Sequence, residues 1–121
     1  MKKKIAIFCC LLLLGLTACS NTPQEEIEKE ENKMDQVIES GNYIIVDVRT
    51  KEEYEESHIK ESMNIPYDEI NENTDLPKEK TIFVYCRSGK RSSIAYQTLK
   101  DLGYDVIDLG AFDSITIFEK E

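Results

Sequence analysis

Cys86 is followed within five residues by three cations, Arg87, Lys90 and Arg91, with Ser88, Gly89 and Ser92 filling the rest of the segment. A thiolate is a strong nucleophile, and nearby positive charge or oriented N–H groups favour it over the thiol. Small and polar residues around Gly89 allow the backbone to curl so that successive N–H groups face one point. A helix starting just after them would add its own unpaired N–H groups and partial positive charge. Such a loop suits attack by sulfur, and the holding of a negative sulfur by fixed donors. The competing reading is a small, inert thiol buried at a strand end, as most free cysteines are. Three cations placed ahead of a helix weigh against it.

Around this segment the other chemistry-bearing residues read as support. Asp47 and Arg49 end an apolar run and are expected to brace the neighbouring loop by hydrogen bonds and an ion pair with Glu53. His58, with no second histidine or carboxylate cluster nearby, reads as a structural hydrogen-bonding group rather than a general base. Arg87 and Lys90 are placed to bind an anionic donor, and Tyr85 and Tyr96 read as core or rim. Neither metal nor cofactor is expected: no second cysteine accompanies Cys86, and His58 is the sole histidine.

Positioning that loop requires a strand before it and a helix after it. Thr81 to Tyr85 is the clearest strand, and the following helix carries apolar Ile94, Ala95, Leu99 and Leu102 before Gly103 stops it. Tyr43 to Val48 is a second apolar run suited to burial on both sides. Met63 to Ile65 and Tyr104 to Leu109 are further strands, with a helical turn expected within Tyr67 to Asp75. Met34, Val37 and Ile38 share one face of a helix closed by Gly41. Thr50 and Glu53 have capping-box spacing for a short polar helix, and a short last helix runs from Phe112 to near Phe118. Strands alternating with helices predict an α/β domain with a parallel sheet and helices on both faces. Ligands in such sheets sit beyond the carboxyl ends of the strands, where Cys86 falls.

The first residues belong to a different category. Lys2, Lys3 and Lys4 precede an apolar run to Leu16 that is short for a bilayer span and reads as a signal peptide, residues 1–18. Leu16-Thr17-Ala18-Cys19 resembles the lipobox of bacterial lipoproteins, which implies a lipid on Cys19 and an extracytoplasmic, membrane-anchored protein. An ordinary secretory signal or an uncleaved anchor is the alternative. Residues 19–31 read as a disordered acidic tether and 32–121 as the folded domain. The chain carries a net charge of −9, and losing Lys2 to Lys4 takes it to −12. That charge argues against a nucleic-acid partner and is accounted for by a solvated surface. Of four cysteines, Cys9 and Cys10 would leave with the signal and Cys19 would be lipidated, so Cys86 alone remains in the domain, a leftover thiol of the reactive kind.

An ordered set of motifs also resembles a known family. Asp47-Val48-Arg49, Glu53-Tyr54, His58-Ile59 and Asn64-Ile65-Pro66 are similar to the N-terminal pattern of rhodanese domains. Cys86 to Ser92 looks like their active-site loop, and Gly110-Ala111-Phe112 falls at their glycine-rich turn. The resemblance covers about Asn32 to Phe118. It implies a rhodanese-like three-layer fold and a sulfurtransferase that moves a sulfane sulfur through a persulfide on Cys86. The donor would be a small anion such as thiosulfate, held by Arg87, Ser88, Gly89, Lys90, Arg91 and Ser92. The acceptor would be cyanide, a thiol or an acceptor protein. Two alternatives stay open: a persulfide carrier with little turnover, and a cysteine-dependent phosphatase or arsenate reductase on the same fold. Those oxyanion enzymes resemble C-x5-R, whereas Cys86 to Arg91 reads C-x4-R. Ser57, Glu61 and Ala111 stand where the family favours glycine, so the turns that form the pocket rim are expected to be rebuilt.

Overall fold

An unbroken apolar strand is stable only where both sheet faces are covered, and the central strand of this molecule meets that condition. The computed structural model describes residues 23–121; the expected signal peptide and Cys19 lie outside the described residues. Helix α1 is Pro23–Ser40, strand β1 Tyr43–Asp47, helix α2 Lys51–Glu56, strand β2 Met63–Asn64, strand β3 Thr81–Cys86, helix α3 Lys90–Asp101 and strand β4 Asp105–Ala111. Single 3-10 turns occupy Tyr67–Glu69 and Phe112–Ser114. The sheet order is β2-β1-β3-β4, with every neighbouring pair parallel. All six residues of β3 are buried.

Alternation along β3 builds two cores. Ile82, Val84 and Cys86 join Ala95 and Leu99 of α3 on one face. Phe83 and Tyr85 join Ile45, Ile59 and Ile115 on the other, where Met34, Val37 and Ile38 of α1 pack against them. The expected parallel α/β sheet with helices on both faces is therefore present.

Three elements differ from expectation. Helix α1 covers Pro23–Ser40, so residues 23–31, expected within a disordered tether, are helical although exposed. Glu, Gln and Lys are good helix formers without any core contact. Ile94, expected on the packed face of α3, is 47% exposed. The buried face runs Ser92, Ala95, Leu99, with Leu102 packed alongside, and Ile94 lies a helical step of about 100° off that line. The last helix shrinks to the turn at Phe112–Ser114, because the β-branched Ile115, Thr116 and Ile117 disfavour helix. The chain end instead runs antiparallel to Ile59: His58 N–H donates to Glu121 O and Glu121 N–H to His58 O, both at 2.8 Å.

The residues standing where the family favours glycine adopt different backbone angles. Ser57 is extended at φ −168 and Ala111 is ordinary at φ −87. Glu61 alone among non-glycine residues described has positive φ, at 67. It sits third in a tight turn closed by Ser62 N–H donating to Ile59 O, a position where glycine relieves strain. Glu61→Gly should therefore stabilise the domain by roughly 0.5–1 kcal/mol, the αL cost less the added chain entropy. Urea unfolding midpoints would show it, and a destabilised variant would contradict it.

Candidate active site

Only Arg87, Ser88 and Gly89 separate the end of β3 from the start of α3. Gly89 has φ 94, a left-handed conformation that side chains resist, and it turns the helix so that its N-terminus faces the strand end. Helix α3 has no side-chain cap. The sulfur of Cys86 takes that place: it draws Ser92 N–H, at the third helical position where a capping Ser or Asp oxygen would ordinarily accept, and Gly89 N–H also donates to Sγ at 3.0 Å. Cys86 is fully buried beside Val84 and Ala95. That burial pushes the thiol up, but hydrogen bonds from the Ser92 hydroxyl and from the N–H groups of Ser92, Gly89 and Ser88 outweigh it and leave the thiol below its ordinary value. The Ser92 hydroxyl also donates to Gly89 O at 3.1 Å, so its single proton is divided between carbonyl and sulfur. The burial is that of an inert thiol. The converging donors are not.

The charged residues form two pairs, and neither is the pair expected. Arg49 does not reach Glu53; it closes on Asp47, with Nη2 to Oδ2 at 2.6 Å and Nε 3.0 Å from both carboxylate oxygens. The same Nη2 donates to Ser57 O at 2.6 Å, and the guanidinium lies 4.4 Å from the centre of the Phe112 ring. Burial alone would lower the Arg49 pKa, yet the hydrogen bonds and charge of Asp47 raise it. Glu53 is fixed instead by the capping box at the start of α2, facing α3. Arg91, expected on the donor, forks onto it at 2.7 and 3.0 Å. That fork, together with Thr50, holds the Glu53 carboxyl down at about 2. Arg87 and Lys90 are exposed, and among the described residues neither has an ion-pair partner.

His58 packs within the fold: Nδ1 lies 2.8 Å from Tyr54 O, Nε2 lies 3.2 Å from Glu121 Oε1, and the ring stacks on Tyr54. Tyr85 is core, its hydroxyl accepting from Ile59 N–H and pushed up by burial to about 12. Tyr96 packs against the α3-side core, partly buried. Three contributors escaped the sequence reading. Asn64 Nδ2 donates to Asp47 O and Arg49 O at 3.0 Å, while the Ser57 carbonyl and the Phe112 ring seat the Arg49 guanidinium. Asn64 lies within a motif that could have flagged it; a carbonyl acceptor has no side-chain signature.

A cleft of about 310 Å³ opens beyond the carboxyl ends of the strands, lined by Arg49, Arg87 and Phe112 just past β1, β3 and β4, and by Glu53, Glu56, Ser57 and Asp113. It adjoins the loop through Arg87; the buried Cys86 does not line it.

A family model for the rhodanese-like domain matches residues 30–115. The chain belongs to the rhodanese-like domain family. A thiosulfate sulfurtransferase of Escherichia coli is 36% identical over 66 residues, covering 52% of this chain and 64% of that protein. An adenylyltransferase and sulfurtransferase of Ogataea parapolymorpha is 36% identical over 90 residues, 72% of this chain but only 23% of that protein. The chain thus spans less than two thirds of these relatives. Among solved structures, a rhodanese with anions from Escherichia coli aligns with a TM-score of 0.59 at 30% identity, over 65% of this chain and 96% of that one. A Bacillus halodurans protein aligns with a TM-score of 0.57 at 30% identity, over 74% and 76%.

In this rhodanese-like domain, alkylation of Cys86 should show a pH midpoint below that of an unperturbed cysteine thiol. Ser92→Ala should raise that midpoint by removing a hydroxyl donor to the sulfur. Rate against pH with a small alkylating reagent measures both, and coincident midpoints would deny Ser92 the role.

Proposed function

We propose that this protein is a sulfurtransferase that carries a sulfane sulfur on Cys86, anchored outside the cytoplasm by lipid on Cys19. The observation that supports it is the convergence of α3 and loop N–H groups on the Cys86 sulfur, with Gly89 N–H at 3.0 Å. In the first half-reaction the thiolate attacks the outer sulfur of thiosulfate. A new S–S bond forms at Sγ, the old S–S bond breaks, and its electron pair leaves with sulfite. In the second, a nucleophile such as cyanide attacks the terminal sulfur, departs as thiocyanate and returns the pair to Cys86. The fixed N–H donors can hold sulfur anions in both resting states without a metal.

The sulfurtransferases among the relatives favour this reading over a phosphatase, as does a loop one residue shorter than C-x5-R. A carrier with little turnover would take up the same sulfur and fail only in the second half-reaction.

Cys86→Ser should abolish both thiosulfate–cyanide turnover and the mass gain of about 32 Da that one added sulfur gives; turnover in that variant would end the proposal. Neutralising Arg87 and Lys90 together, as Arg87→Gln/Lys90→Gln, should raise KM for thiosulfate roughly fivefold, in keeping with two exposed charges. An unchanged KM would leave both as solvated surface.

A further inference from the structure

Among the cations of the loop, Arg91 alone has the planar fork and the placement on α3 to grip an oxyanion beside the sulfur, since Arg87 is exposed ahead of the helix and Lys90 is a point charge. Arg91 is also the one already engaged. We propose that Glu53 is a positioning residue that sets the specificity of the site: by locking Arg91 in a two-point pair, it denies the Cys86 loop the guanidinium clamp that a phosphate-type oxyanion seated in the nest would need, whereas thiosulfate presents only its outer sulfur there. This rests on reading the loop as a cradle for sulfur and names what keeps it one.

The geometry is explicit. Both terminal nitrogens of Arg91 are on the Glu53 carboxylate, at 2.7 and 3.0 Å, so that edge of the fork is used and its charge is matched. The pair is mostly shielded, with side-chain exposures of 26% and 20%, which limits screening by solvent. Glu53 cannot follow Arg91 towards a ligand, because Oε1 also accepts from the Thr50 hydroxyl at 3.1 Å and from its N–H at 3.4 Å, while Thr50 Oγ1 caps Glu53 N–H. Arg91 lies between Gly89 and Ser92, whose N–H groups serve the sulfur, and it feels the charge of Cys86 directly, with Asp47 the other acid acting on it. A freed Arg91 would thus bring a full positive charge and two parallel donors to the mouth of an existing N–H nest. With the lock closed, the nest offers oriented backbone donors for one sulfur, while Arg87 and Lys90 remain for long-range attraction of anionic donors.

Glu53→Gln tests this with little risk to the fold, since glutamine also completes a capping box. Inorganic phosphate is titrated into the reduced protein and binding is followed by the Gly89 amide resonance. The dissociation constant should fall about tenfold or more in Glu53→Gln, the scale of one charge-assisted contact, and return to the wild-type value in Glu53→Gln/Arg91→Met. The pH midpoint of Cys86 alkylation should also drop in Glu53→Gln, because an unmatched cation favours the thiolate; mere loosening of the loop would raise it. Wild-type phosphate affinity in Glu53→Gln, or a gain that survives loss of Arg91, would overturn the proposal. Neither readout needs turnover, so failed sulfur transfer and a failed lock are seen separately.

Discussion

A helix that starts against a buried sheet edge must find acceptors for its first N–H groups, and α3 finds a sulfur atom. The absent side-chain cap, the left-handed Gly89 and the end of β3 at Cys86 all follow from that arrangement. Unsatisfied buried N–H groups are costly, so the donors that stabilise a thiolate also need it. On the proposed function, nucleophile and helix cap are one atom, and the local fold and the local chemistry share a single requirement.

The ion pairs extend this requirement outward. Asp47–Arg49 is buried, and such a pair is tolerated only when its remaining hydrogen-bonding capacity is met. Here Ser57 O and Arg49 N–H supply the additional partners, and among the described residues no buried side-chain nitrogen or oxygen lacks one. The pair fixes the segment after β1 against Phe112, and Glu53–Arg91 fixes α2 against α3. Three chain segments that meet beyond the strand ends are thereby held in one arrangement, on a protein whose overall charge is negative.

The features legible in the sequence were those set by burial and by local backbone chemistry. Thr81 to Tyr85 reads as a strand because it is an almost unbroken apolar run, and Thr50 with Glu53 reads as a capping box because its partners are three residues apart. Pairings across space were not legible. Arg49 chose Asp47 because Phe112 and Ser57 O seat its guanidinium, and nothing in the order of residues announces either neighbour. The helical residues 23–31 of α1 were hidden for another reason: Glu, Gln and Lys form helix by backbone preference alone, without the apolar periodicity that marks a packed helix. Glu61, standing where the family favours glycine, adopts a left-handed angle of the kind glycine accommodates.

The parallel sheet also bears on how the domain is made. Among the described residues no strand pairs through a hairpin; Tyr43 must wait for Thr81, and Thr81 in turn for Asp105. Because the central strand is third in the chain, a polypeptide emerging from its N-terminus has only the two-residue β2 with which to match β1 until β3 follows. Assembly is therefore dominated by contacts distant in sequence, which slows folding and postpones it until nearly the whole chain is free. Until then the segment carrying Cys86 has no helix end to shelter it, so its thiol meets the surroundings as an ordinary cysteine.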